Sequence, residues 1–164
     1  MVNKPDSDNT ESMTVKSKKI VERKALNIDA MDFQITQAID WGDMDAFQHV
    51  NNVVYFRYFE NVRIAYFEEI GMNQYMQQHQ VGPILGTTEC QYLAPLTYPD
   101  EVRIYTQVTA IREKRFTMQY FIHSQKLNQL AAQGSGEIVF FDYNLGKTCK
   151  IPDVLVSKLA ANLN

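Results

Sequence analysis

Residues 41–60, WGDMDAFQHVNNVVYFRYFE, contain the pattern that decides the fold. A polar loop with two carboxylates and an imidazole leads into a segment whose apolar residues recur every three or four positions up to residue 70. This spacing predicts a helix of about 20 residues and about 30 Å, begun by Asn51 or Asn52 and ended by Gly71. Because apolar residues occupy nearly every face, we expect a curled sheet or a second subunit to bury most of the helix.

Segments with alternating apolar residues lie on both sides of this helix. A period near two predicts one strand before the helix and four strands after it. Their ranges are 33–41, 83–94, 102–110, 116–122 and 131–143. The short connections favour antiparallel pairing, so the sequence predicts an α+β fold in which an antiparallel sheet of about five strands wraps around one long central helix.

The remaining segments define the domain organisation. Residues 1–30 are mostly polar and are predicted to form a flexible N-terminal tail, which leaves 31–164 as a single domain. Residues 72–82 are interpreted as a connection, and 112–115 as the charged tip of a hairpin. A short terminal helix is expected over 153–163.

Four residues carry packing predictions. Gly134 and Gly136 in the last strand indicate a bulge or a close approach of another group to the backbone. Glu60 and Arg63 lie three positions apart on the helix, a spacing typical of an ion pair.

Composition excludes several classes of protein. The chain has 164 residues, 45% apolar and 21% charged, with a net charge of -3, so we expect no nucleic-acid partner. Since no apolar run approaches about 20 residues, no membrane partner is expected. The N-terminus lacks the apolar core of a secretory signal, and Cys90 and Cys149 are far apart. These features favour a cytoplasmic location with reduced thiols.

The loop before the helix carries the chemistry. A helix N-terminus has unpaired N–H groups and partial positive charge, so a carbonyl held there would be polarised and its oxyanion stabilised. Asp45 lies a few residues upstream and could attack that carbonyl or activate water. Asp43 is interpreted as structural, and His49 as a further acid–base candidate or a loop-ordering residue. No further cluster of ligands accompanies these side chains, so no metal is expected.

The same segment, 41–60, closely resembles the motif of hotdog-fold acyl-CoA thioesterases of the 4-hydroxybenzoyl-CoA thioesterase type. The predicted order of strands and helix over about 32–143 agrees with that family. The resemblance implies a hotdog fold. It also implies a homodimer whose sheets join side by side, with a homotetramer as a frequent further assembly.

Within this resemblance, specific residues acquire roles. Asp45 matches the catalytic carboxylate, and the backbone N–H of about Asn52 matches the group that binds the thioester carbonyl. The family's active site lies at the dimer interface. The resemblance therefore implies that Thr87, Thr88 and Glu89 of the neighbouring subunit line the pocket.

Other positions match the family less closely. Arg112, Lys114 and Arg115 correspond to a basic stretch that holds the phosphates of CoA. Gln48 departs from the motif, because many relatives have Gly before the His. This glutamine changes the loop conformation or offers a side-chain amide near the carbonyl, and with His49 it is a further catalytic candidate.

The function implied is hydrolysis of an acyl-CoA thioester to a carboxylic acid and CoA, without a cofactor. Asp45 would be the nucleophile or the general base. A carrier-protein thioester is an alternative substrate, because plant-type acyl carrier thioesterases share the HVNN segment. Two other functions stay open: a hotdog module that binds acyl-CoA without cleaving it, and a hotdog hydratase or dehydratase that uses an Asp/His pair.

Overall fold

The computed structural model describes residues 31, 33–161 and 163, and the predicted N-terminal tail lies outside the described residues. The helices are α1 (Asn52–Glu69), α2 (Met72–His79) and α3 (Asp153–Ala160). The strands are β1 (Phe33–Ala38), β2 (Val81–Tyr92), β3 (Glu101–Ile111), β4 (Arg115–Ser124), β5 (Gln129–Asp142) and β6 (Lys147–Thr148). A 3-10 turn, Trp41–Asp43, lies between β1 and α1.

The strands form one antiparallel sheet in the order β1-β3-β4-β5-β2, with the short β6 paired to β5. Helix α1 lies on one face of this sheet, where Phe59 stacks on Tyr120 of β4 and Phe67 contacts Phe116. The predicted fold class, an antiparallel sheet with one long helix, is confirmed. The two outer strands of the sheet are β1 and β2.

The ends of α1 follow the predicted signals. The side chain of Asn51 caps the helix by accepting a hydrogen bond from the N–H of Val53 at 3.1 Å. At the other end, Gly71 adopts the left-handed conformation with φ of 73°. The ammonium of Lys158 donates to the carbonyl of Ile70 at 2.7 Å, which satisfies one of the last carbonyls of the helix.

Helix α1 is buried on one side within the single chain. This side packs against the curled sheet, whereas Val53 and Ile64 on the other side are 63% and 48% exposed. No described segment covers that exposed side. Its expected cover by a second subunit stays a prediction.

Two local predictions need correction, and one short strand was not predicted. The connection predicted over 72–82 contains the two-turn helix α2, in which Met72 is buried and Tyr75 packs against the core. The polar residues of this segment hide that short apolar pattern. The first strand ends at Ala38 rather than continuing to Trp41. The strand β6 has only two residues, too few for any periodicity.

The predicted Glu60–Arg63 ion pair is also wrong. Glu60 pairs instead with Arg57, at 3.0 Å, on the exposed side of α1. Arg63 points into the core, where its guanidinium donates to the hydroxyl of Tyr120 at 3.3 Å. Since Arg57 also lies three residues from Glu60, spacing alone does not distinguish the two arginines.

The glycines of β5 allow a close approach, as predicted. A Cβ on Gly134 would lie 2.5 Å from Cε2 of Phe59 and would also contact the carbonyl oxygen of Glu89. Gly136 has the hydroxyl of Tyr120 3.1 Å from the same position. Only glycine leaves room here for α1 and β2 to pack against β5.

Among the residues that the structure describes, no helix has the length and apolar character needed to cross a membrane.

Candidate active site

The loop between β1 and α1 is folded around Asp45. Its Oδ1 accepts hydrogen bonds from the N–H groups of Phe47, at 2.8 Å, and His49, at 3.4 Å. The backbone N–H of Asp45 in turn donates to the carbonyl of His49 at 2.8 Å. Because Asp45 organises the backbone that surrounds it, the position of its carboxylate is set by the loop itself.

Gln48 occupies a strained position in this loop. It adopts a left-handed conformation with φ of 63°, a region that glycine enters more easily than other residues. Its N–H donates to the carbonyl of Asp45 at 3.0 Å. The loop therefore retains a conformation suited to Gly although a side chain is present, at a cost of roughly 1 kcal/mol.

Asp43 connects the loop to α1. Its carbonyl accepts from the N–H of Asn51 at 2.9 Å, and its carboxylate accepts from the hydroxyl of Tyr58 at 3.4 Å. Burial, with a further contribution from Asp43, raises the pKa of the Tyr58 phenol. The N–H of Val50 donates to the carbonyl of Leu96 at 2.9 Å and fixes the other side of the loop. These bonds agree with the structural interpretation of Asp43.

The start of α1 opens into a cavity of about 370 Å³. Its lining residues are Asp45, His49, Val50, Asn52, Tyr55, Tyr92, Leu93, Ala94 and Pro95. The hydroxyl of Tyr92 donates to the carbonyl of Asn52 at 3.2 Å, and its ring meets the ring of Tyr55 edge to face at 5.0 Å. Within the described part of the chain, the N–H of Asn52 has no hydrogen-bond acceptor. A carboxylate and a free helix-terminal donor therefore line the same cavity.

A second cavity, of about 520 Å³, adjoins the other side of the loop. It is lined by Trp41, Gly42, Met44, Asp45, Gln48 and Tyr98. Asp45 thus lines both cavities. Of the four predicted catalytic candidates, three (Asp45, His49 and Asn52) line the first cavity, and Gln48 lines the second.

Thr87, Thr88 and Glu89 do not line either cavity of this chain. They lie in β2, where Thr88 is opposite Gly136 on the helix side of the sheet. Glu89 points to the other face, where it accepts from the hydroxyl of Ser135 at 2.8 Å and lines a separate cavity of about 320 Å³. Their predicted role concerns a neighbouring subunit and stays a prediction.

The basic residues predicted to hold CoA phosphates are Arg112, Lys114 and Arg115. They lie at the β3–β4 hairpin, where two of them contact Glu137, Arg115 at 2.7 Å and Arg112 at 4.0 Å. Because Phe116 packs on Phe67 in the last turns of α1, this hairpin lies at the C-terminal end of the helix. The 18 residues of α1 span about 27 Å, so one chain does not bring the hairpin near Asp45.

Several cavity residues were not identified from the sequence. Tyr55 lies one helical turn beyond Asn52 on the same side of α1, and helical phase could have indicated it. Tyr92 and the three residues after it are placed at the cavity by the pairing of β2 with β5, where Tyr92 lies opposite Ala132, 40 residues along the chain, so they carry no local signal.

The arrangement suits attack on a carbonyl. The helix start supplies a preorganised donor and partial positive charge for a developing oxyanion, and Asp45 supplies an ionisable oxygen a few residues upstream. Among the described residues, no group of three His, Cys, Asp or Glu side chains could hold a metal ion.

Comparison with known proteins places the chain in a family. Residues 39–159 match the model of the thioesterase-like superfamily. The protein YsmA of Bacillus subtilis (strain 168) is 32% identical over 83 residues, 51% of this chain, and the match spans just over half of that relative's length, 55%.

Two solved structures share the fold at lower identity. The DHNA-CoA thioesterase of Staphylococcus aureus superimposes with a TM-score of 0.70 at 21% identity, covering 79% of this chain and 91% of that one. A thioesterase of Thermus thermophilus, complexed with coenzyme A and Zn, gives 0.69 at 23% identity, covering 79% and 98%. The chain therefore belongs to the thioesterase-like superfamily and has the hotdog fold.

Proposed function

We propose that the protein is an acyl-CoA thioesterase that hydrolyses an acyl thioester to a carboxylic acid and CoA. One observation carries the proposal: the carboxylate of Asp45 and the unpaired N–H of Asn52 line the same cavity at the start of α1. Membership of the thioesterase-like superfamily supports the reaction class.

In this reaction the thioester carbonyl oxygen accepts a hydrogen bond from the N–H of Asn52. Asp45 then acts in one of two ways. Its carboxylate attacks the carbonyl carbon, the C–S bond breaks, and water hydrolyses the resulting anhydride. Alternatively, it takes a proton from water as the water attacks. In both, the thiolate of CoA leaves and is protonated, and the oxyanion is stabilised at the helix start. His49 lines the same cavity and is the candidate for assisting proton transfer.

We further propose that the active unit is a homodimer, which can pair into a tetramer. Strand β2 has 12 residues and, among the described strands, pairs only with β5, so one of its edges is open there. An open edge of this length favours pairing with another strand. A second subunit would also cover the exposed side of α1. It would bring Thr87, Thr88 and Glu89 to the neighbouring cavity, and the basic hairpin nearer to a CoA bound there.

The nature of the thiol is part of the proposal. The thioesterase of Thermus thermophilus is complexed with coenzyme A and Zn. A site that accepts CoA needs cations for the phosphates, and Arg112, Lys114 and Arg115 are the proposed source. The same loop chemistry would cleave a thioester of an acyl carrier protein, which is the alternative substrate.

The test is thiol release from a panel of short, long and aromatic acyl-CoAs by wild type and Asp45→Asn. We expect turnover that falls at least about a hundredfold in the variant, the usual scale for a positioned catalytic base. Asp142→Asn is the matched control. Asp142 also accepts two hydrogen bonds from loop N–H groups, of Asn144 and Leu145 at 2.9 Å each, but lines neither cavity.

Three results would count against the proposal. Binding of acyl-CoA without thiol release would indicate a ligand-binding module. Hydration of enoyl-CoA without thiol release would indicate a hydratase. Equal losses in Asp45→Asn and Asp142→Asn would show that Asp45 contributes only to loop structure.

A further inference from the structure

Arg63 is a buried cation without a matching anion. It is 7% exposed, and among the described residues it is the one charged side chain in the core. No carboxylate of the described residues lies within 4.0 Å of its guanidinium. A buried charge without a counter-ion costs several kcal/mol, so a fold retains one only where something else compensates for it.

The guanidinium has one neutral partner. It donates to the hydroxyl of Tyr120 at 3.3 Å and lies 5.9 Å from the centre of that ring. Tyr120 is fully buried, and its own O–H proton has no acceptor within the described ranges. A guanidinium offers five N–H donors. The pair therefore presents several donors with no acceptor among the described residues, the arrangement that binds a carboxylate.

This pair lies in line with the proposed active site. Asn52, Tyr55, Phe59 and Arg63 follow one another at intervals of three, four and four, which places them along one side of α1. Asn52 and Tyr55 line the cavity beside Asp45. From Asn52 to Arg63 the helix rises by about 16 Å, and the arginine side chain leans back towards the helix start.

The helix side of β2 follows the same direction. Tyr92 lines the cavity, and Thr88, four residues earlier and on the same side of the strand, is opposite Gly136. Gly136 is in close contact with the Tyr120 hydroxyl and with Leu85. Tyr92 and Leu85 are 46% and 40% exposed, so this edge of β2 is accessible to solvent both at the cavity and beside Gly136.

We propose that Arg63, with the hydroxyl of Tyr120, recognises a carboxylate at the far end of the acyl chain, so that the preferred substrates are ω-carboxyacyl thioesters. The inference rests on the proposed function. In the bound state the thioester carbonyl lies at the N–H of Asn52 and the chain runs along α1. Its terminal carboxylate accepts from the guanidinium and from Tyr120. The bound substrate thus supplies the anion that Arg63 lacks.

The test compares thioesters of matched length that differ only at the far end: adipoyl-, suberoyl- and sebacoyl-CoA against hexanoyl-, octanoyl- and decanoyl-CoA. For wild type we expect kcat/KM for the best ω-carboxyacyl-CoA to exceed that of its alkyl counterpart at least about tenfold. Arg63→Met should abolish this ratio while alkyl chains are still hydrolysed. Tyr120→Phe should reduce it. Arg57→Met, on the exposed side of the same helix, should leave it unchanged.

Other results overturn the proposal. A higher kcat/KM of wild type for alkyl chains would overturn it. Equal losses of kcat/KM for both series in Arg63→Met would also overturn it. Arg63→Met could instead dissociate a dimer in sedimentation and lower kcat/KM for both series equally. In that case the arginine pairs with a carboxylate of a second subunit. If Arg63→Met does not fold, the wild-type ratio and Tyr120→Phe decide.

The proposed function and this inference fail separately. If wild type releases no thiol from any compound, the thioesterase proposal fails. Titration calorimetry then still tests the recognition of the chain, because suberoyl-CoA should bind wild type at least about tenfold more tightly than octanoyl-CoA does. Equal affinities would refute the role of Arg63.

Discussion

Replacing Gly134 by alanine is expected to destabilise the protein by about 2 kcal/mol. The added Cβ would lie 2.5 Å from Cε2 of Phe59, where ordinary contacts begin near 3.4 Å, so the ring would have to move by about 1 Å. Phe59 is fully buried and stacked on Tyr120 at 4.9 Å, which leaves little room for that movement. The carbonyl oxygen of Glu89 is also in close contact with the added Cβ. Overpacking of this kind costs typically about 1–3 kcal/mol, partly offset because alanine suits a strand better than glycine.

Thermal and urea unfolding measure this effect. For a chain of this size about 2 kcal/mol corresponds to a Tm lower by roughly 4–8 °C. Gly42→Ala is the control, because nothing lies within 4 Å of its Cβ position, and it should change the free energy of unfolding by less than about 0.5 kcal/mol. In a Phe59→Leu background, Gly134→Ala should cost at least about 0.5 kcal/mol less. A Gly134→Ala protein as stable as wild type would refute the reasoning.

Three further predictions concern the cap, a thiol and a surface ion pair. Asn51→Ala should lower the free energy of unfolding in urea by about 1 kcal/mol, because the N–H of Val53 loses its acceptor. Asn51→Asp should retain most of that free energy, since aspartate also caps helices. Equal losses in both variants would contradict the capping role. Burial raises the pKa of the Cys90 thiol to about 11. In a Cys149→Ser protein, the rate at which Cys90 reacts with a disulfide reagent should therefore be low at neutral pH and should keep rising up to about pH 11. A rate that levels off near pH 9 would contradict this. Glu60→Gln should change the free energy of unfolding by less than about 1 kcal/mol, since its pair with Arg57 is exposed; a larger loss on chemical denaturation would mean that Glu60 has another role.

The sequence predicted the parts of the fold that depend on local pattern. Alternation located β3 and β4 to within two residues, and Asn51 and Gly71 marked the ends of α1. Helix α2 was missed because its apolar residues stand among Asn and Gln. The direction of Arg63 was missed because burial depends on what faces a helix, and spacing to Glu60 or Arg57 carries no information about that.

The candidate site was predictable where it is contiguous. Asp45, His49 and Asn52 come from one short segment, and the structure places them on one cavity. Tyr92 and Leu93 reach the same cavity only through pairing with a distant strand, so no local pattern could have identified them. The predicted roles of Thr87, Thr88 and Glu89 depend on a neighbouring subunit.

The position of β2 in the sheet has a consequence for the order of folding. Strands β3, β4 and β5 follow one another in the chain and pair as neighbours, whereas β2 pairs with β5 across the whole of that meander, from Val81 with Asp142 to Tyr92 with Ala132. Closing so long a loop costs more entropy than forming a hairpin, so we expect the meander to form first and β2 to dock late. Because Tyr92 and Leu93 belong to β2 and its end, the cavity beside Asp45 becomes complete only at that late step. The proposed thiol-releasing activity should therefore return more slowly during refolding than the β-sheet signal.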